Sequence, residues 1–161
     1  MAIRLIVKDP DPVLREPAKE VTKFNANLAK LLKDMAETMY DAEGVGLAAP
    51  QVGISKRVIV VDIGDETGLI EMVNPVIVEQ DGEQFGPEGC LSIPNLNGDV
   101  RRADRVVVSG QRADGTPFTV EAKGFMARAF QHEVDHLNGI LFTDLAESVY
   151  DISERTRKGG E

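Results

Sequence analysis

Residues 124–138 constrain the chain more than any other stretch, because their two sides need different neighbours. The segment reads as a helix, and Gly139 just past its end is a natural stop. On a helix, positions i and i+4 share a face. His132 and His136 in "QHEVDH" can therefore aim two imidazoles at one point, with Glu133 beside them. Phe130, Val134 and Leu137 supply a separate apolar face that can seat the helix in a core. Two solvated histidines on an amphipathic helix would be the plainer reading. Against it, both histidines of a histidine-poor chain fall inside one H-E-x-x-H pattern. In that pattern two histidines hold a metal and the glutamate is the general base. Asp135 is either a hydrogen-bond partner for a ligand histidine or nearby arginine, or an exposed helix carboxylate.

Elsewhere the chain alternates little. Leu28, Leu31, Leu32, Met35 and Met39 follow helical spacing, with Asn25 as N-cap and Gly44 as stop. Residues 10–17 carry three prolines and suit an extended entry loop. "RVIVVDI" (57–63) reads as a buried strand, and 70–80 as a strand that Pro75 makes either an edge or a bulged one. Residues 106–122 read as two strands joined by a turn at Asp114-Gly115, and "DLAESVYDISERTRK" as a C-terminal helix. Helix, several strands, helix, helix favours an α+β fold with antiparallel sheet over repeated βαβ units.

At 161 residues the whole chain, 1–161, is expected to be one domain with a sizeable core. The formal charge of −9 argues against a phosphate-binding face and hence against nucleic acid as partner. No apolar run approaches the ~20 residues that span a bilayer, so no membrane role is expected. The N-terminus reads as neither a secretory signal nor a transit peptide, which places the chain in the cytoplasm. Cys90 is the single cysteine and cannot form an intramolecular disulfide.

Two histidines leave a hydrolytic metal site one protein ligand short. The pattern that continues H-E-x-x-H-x-x-G-x-x-H fails here, because Phe142 occupies the place of the third histidine. A later glutamate, Glu147 or Glu154, is available. So is Cys90 in "GPEGCLSIP" (86–94), where flanking glycines allow close backbone approach, although a lone cysteine is often just buried. In "EGVGLAAPQVG" (43–53), Gln51 is an amide in an apolar setting that could stabilise an oxyanion, or a solvated residue in a glycine-rich turn.

Taken in order, "GVGLAAPQ", "EGCLSIP" and "QHEVDHLNG" resemble the three signature motifs of the peptide deformylases, and the likeness runs from "DPDPVLR" through "GILFTDL". The resemblance implies antiparallel sheets packed around a central metal-binding helix, with helices near both ends. It implies removal of the N-formyl group from the formylmethionine of nascent chains, with release of formate. Carried over residue by residue, Cys90, His132 and His136 would hold one divalent ion, with ferrous iron implied and zinc or nickel suited to the same donors. Glu133 would shuttle the proton, while the Gln51 side chain and the Leu91 backbone N–H would hold the oxyanion. Val45, Phe125 and Ala129 would line a methionine pocket, and Gly46 and Gly89 would flank the substrate backbone. The expected partners are formyl-Met N-termini, with a transient ribosome contact left open, and the chain is expected to be a monomer. Three positions depart from common family patterns: Asn95, Asn97 and Arg128. Arg128 stands where some relatives carry an aliphatic residue, and would reach over the pocket mouth or to the peptide.

Overall fold

A computed structural model describes residues 2–152 of the chain. The element order is helix α1 (Ala26–Asp41), strands β1 (Gly46–Ala48), β2 (Val58–Val61), β3 (Ile70–Asp81), β4 (Gln84–Cys90), β5 (Ile93–Arg102), β6 (Arg105–Gln111) and β7 (Pro117–Lys123), helices α2 (Gly124–Leu137) and α3 (Phe142–Leu145), and strand β8 (Ser148–Asp151). The strands form two antiparallel sheets, one of five strands in the order β1-β2-β3-β6-β7 and one of three in the order β4-β5-β8. This is the α+β arrangement expected.

Strand β2 explains why its sequence is apolar without alternation. Val58 and Val60 pack with Leu28, Leu31, Leu32, Met35 and Met39 of α1 on one side of the large sheet. Ile59 and Val61 pack on the other side, against Met126, Ala127, Phe130, Val134 and Leu137 of α2. A strand covered on both faces needs apolar residues at every position. A third cluster, Leu14, Ile93, Val100, Leu141 and Phe142, fills the space behind the small sheet, and Cys90 and Val7 pack against it.

Several local expectations hold. Asn25 caps α1 by accepting from the Leu28 N–H at 3.1 Å. Gly115 takes a positive φ in the β6–β7 turn, and Gly139 does so beyond α2. Others need correction. At the end of α1 the left-handed residue is Glu43 rather than Gly44. Residues 10–17 are not simply extended, since Pro12–Arg15 form a 3-10 turn capped by the Asp11 side chain. Strand β3 is bulged, as Pro75 suggested, but it lies at the centre of its sheet. Pro75 falls in the register shift between Val73 and Val76, where its missing N–H is not required. Asn74 in that bulge has φ +52, and its side chain bonds Val21 and Gln111.

The C-terminal stretch also differs from expectation. The described helix there is α3, short and further upstream, and Ser148–Asp151 pair with β5 as a strand. The remainder of the expected helix, residues 153–158, lies outside the described residues. Asn95 adopts φ +69. Among the described residues, no helix is long and apolar enough to cross a membrane.

Candidate active site

The site forms where α2 faces the turn between β4 and β5. Cys90 ends β4, and a register break between Gly89 and Cys90 turns its side chain toward the helix. The ligand atoms of Cys90, His132 and His136 all lie within 4.8 Å of one another, and His136 Nε2 is 3.3 Å from Cys90 Sγ. The helix spacing that pairs the two imidazoles thus meets a thiol brought in from the other sheet. Glu147, the later glutamate, is exposed and ion-paired with Arg101, away from this cluster. Glu154 lies outside the described residues. Phe142, at the place of a third histidine, is buried, and its ring lies 6.1 Å from that of His132.

Glu133 is buried, and its Oε1 has no hydrogen-bond partner among the described residues. Burial pushes its carboxyl up to about 7. A Cβ at Gly46 would lie 2.4 Å from Glu133 Oε2, so only glycine leaves room for the carboxylate there. Gln51 is fixed at both ends of its amide. Oε1 accepts from the Ala48 N–H at 2.9 Å, while Nε2 donates to Ser92 Oγ at 3.1 Å and approaches Cys90 Sγ at 3.5 Å.

A cavity of about 250 Å³ opens beside these groups. Val45, Gly46, Gln51, Gly89, Cys90, Leu91, Phe125, Ala129, His132 and Glu133 all line it, so nearly every residue singled out in the sequence meets here. His136 is the exception, buried behind the others. Val45 and Phe125 remain partly exposed at the mouth, and Ala129 is buried in the wall.

A set of charged residues lies beneath His132. Glu88 Oε1 lies 2.9 Å from His132 Nδ1. The same carboxylate takes two hydrogen bonds from Arg102, at 2.7 and 2.8 Å, and one from Arg128 Nη1 at 2.6 Å. Arg102 also donates to Asp135, which settles Asp135 as a partner of an arginine. Arg128 is buried and also bonds the Gly86 carbonyl and Gln84, so it braces β4 from within and lines the cavity wall rather than reaching over its mouth. Burial alone would raise the Glu88 carboxyl, but the Arg102 and His132 hydrogen bonds outweigh it and hold the group at about 2. For His132, burial opposes the charge while Cys90 and Glu88 favour it, and the balance lies well above the ordinary imidazole value. Burial drives His136 the other way, well below it. Glu88 could have been noticed as the one carboxylate inside the glycine-rich "GPEGC" run. Arg102 carried no signal.

The donor set suits a divalent ion. A thiol and two imidazoles converge, one imidazole is oriented through its second nitrogen by a carboxylate, and a buried carboxylate oxygen beside them has no partner among the described residues. Two antiparallel sheets around a helix bearing such a cluster define a metal-dependent hydrolase. The polypeptide deformylase family matches residues 3–151 of the chain. Peptide deformylase 1 of Bacillus anthracis is 56% identical over 154 residues, covering 96% of this chain and 99% of the relative. The peptide deformylase of Pelotomaculum thermopropionicum is 57% identical over 149 residues, covering 92% and 95%. The crystal structure of peptide deformylase from Thermotoga maritima superposes with a TM-score of 0.88 at 46% identity, covering 92% of this chain and 100% of that one. The chain belongs to the polypeptide deformylase family. Its activity is the metal-dependent removal of the formyl group from an N-terminal formylmethionine.

Proposed function

We propose that Cys90, His132 and His136 hold the catalytic ion, that this ion is ferrous iron in the cell, and that zinc or nickel can replace it. The observation that carries the reading is the convergence of one thiol and two imidazoles within 4.8 Å, at the wall of a cavity that also contains Glu133 and Gln51. An ion bound there acts as a Lewis acid, polarising a carbonyl and making water nucleophilic near neutral pH.

The chain's own groups do the rest. Glu133, unpartnered at Oε1 and held near neutrality by burial, takes a proton from the attacking water and returns one to the leaving amine. Negative charge develops on the formyl oxygen, and the Gln51 side-chain amide and Leu91 N–H donate to it. The long contact from Gln51 to Cys90 Sγ is the one such an oxygen would replace, while the bond to Ser92 keeps the amide oriented. The methionine side chain enters between Val45, Phe125 and Ala129, and the peptide backbone runs along Gly46 and Gly89. The chain works as one domain and as a monomer, in the cytoplasm, on formyl-Met N-termini. A transient ribosome contact through the tail would involve residues 153–161, which lie outside the described residues.

Formate release from a formyl-Met peptide, with the acetyl-Met peptide as control, tests the chemistry. The protein is purified without oxygen and loaded with ferrous iron or nickel. Cys90→Ala is expected to lose both metal and turnover. A Cys90→Ala protein with full metal and full turnover would remove the thiol from the ligand set.

A further inference from the structure

The two oxyanion donors sit on separate pieces of chain. Gln51 lies in the 3-10 turn Ala49–Val52 after β1, in the five-stranded sheet. Leu91 lies in the turn between β4 and β5, in the three-stranded sheet. Residues 2–9 bridge the two. The Val7 N–H donates to the Gln51 carbonyl at 2.7 Å, and the Asp9 N–H to the Ser92 carbonyl at 2.8 Å. One stretch of backbone thus grips the residue that carries one donor and the neighbour of the residue that carries the other.

The far end of this strap is tied to α1. The Ala2 N–H donates to Asp34 Oδ1 at 3.2 Å, the Arg4 N–H to Thr38 Oγ1 at 2.8 Å, and Arg4 Nε to Asp34 Oδ2 at 3.1 Å. Lys30 completes the ion pairing of Asp34, whose side chain is 1% exposed. Apolar burial does little to hold this end, because Ile3 is 59% and Leu5 is 87% exposed. Only from Val7 does the strap join a core, packing with Leu14, Ile93 and Phe142 beside Cys90. Polar links to Asp34 and Thr38 therefore decide where residues 2–6 lie.

We propose that Asp34 is a positioning residue that acts through the strap 2–9 to set the spacing between Gln51 and Leu91 across the two sheets. The proposal rests on the reading of those two groups as oxyanion donors. Misplacement of a preorganised donor by a fraction of an ångström lowers turnover more than ground-state binding. Loosening the strap should thus lower kcat and leave KM and the metal in place.

The test uses the metal-loaded full chain with Arg4→Ala, Thr38→Val and Asp34→Ala, measuring kcat and KM on a formyl-Met peptide, metal content, and amide hydrogen exchange at Val7 and Asp9. The first two variants do not leave Asp34 empty at the helix, so they keep the test open should Asp34→Ala fail to fold. Expected are faster exchange at both amides, kcat down roughly five- to tenfold, KM within about twofold, and one metal per chain. Arg4→Lys, which keeps a cation for Asp34, should restore most of kcat. In a Gln51→Ala background the strap variants should cost little further. Turnover left intact by Gln51→Ala overturns the oxyanion reading, whatever the strap variants do. Full kcat in Arg4→Ala and Thr38→Val, with exchange accelerated and Gln51→Ala impaired, overturns the strap alone.

Discussion

The two sides of α2 are built on different principles. Toward the five-stranded sheet, Met126, Ala127, Phe130, Val134 and Leu137 meet a wall of valine, isoleucine and methionine. Nothing there is directional, and volume is what counts. Toward the three-stranded sheet, Arg128, His132 and Asp135 meet Glu88 and Arg102, two acidic and two basic groups balanced around an imidazole. Burying charges costs more than burying methyl groups, and apolar replacements of such networks are often neutral or stabilising. The charged side thus adds orientation where the apolar side adds stability. The contrast reaches the two histidines themselves. His132 is gripped through Nδ1, whereas His136 Nδ1 has no partner among the described residues.

Two substitutions set the sides against each other. Glu88→Ala leaves Arg102 and Arg128 buried without their shared carboxylate, and should cost about 3–5 kcal/mol in urea unfolding. It should also weaken metal binding about 10- to 100-fold in a competition titration, because His132 loses its orienting partner. Phe130→Ala should cost a similar ~3–5 kcal/mol and leave metal affinity within about twofold. Equal loss of affinity in both would erase the distinction between the sides.

Acid should separate them as well. Glu88 ionises at about 2 in the folded protein, against an ordinary 4.5. Its contribution is complete above the higher value and is lost as pH falls toward the lower one, an amount of about 3 kcal/mol. Unfolding followed between pH 5 and pH 2 should therefore steepen in the parent and flatten in Glu88→Gln.

Gly46→Ala lies on neither side, but pushes against Glu133. Its Cβ would displace the Glu133 carboxylate, and kcat should fall roughly tenfold or more with metal content unchanged. The smallest effect belongs to Asn25→Ala, far from both faces. Loss of its cap should cost about 1 kcal/mol and leave kcat and metal untouched.

What could be read from the sequence follows the same division. The apolar face of α2 and its two histidines obey a helical period, so both were visible at once. Cys90 stood out only through the order of three motifs, since a lone thiol in a glycine-rich loop has no periodicity. Strands β4 and β5 were not recognised, because glycine and proline in "GPEGC" and "SIPNLNG" mask a strand whose outer face is open. Without that hairpin, Glu88, which pairs with Gly98, and Arg102, which pairs with Gln84, could not be placed within side-chain reach of each other, nor Arg128 as their third member. Strand β8 was hidden by charges at helix-like spacing, and it exists because β5 offers it an edge. Arg128 was expected over the pocket mouth or at the peptide, and Glu88 supplied a reason for it to stay inside.

The proposed ligands are spread over 46 positions of chain and come from different layers, Cys90 from the small sheet and His136 from the helix seated on the large one. An ion held by both is a clasp between the layers as well as a catalyst. The unfolded chain offers no such clasp, so each tenfold excess of free ion over its dissociation constant adds about 1.4 kcal/mol to the folded state. On this view the supply of metal governs how much folded protein exists as well as how fast it turns over, and starvation for the ion would thin the enzyme's numbers along with its activity.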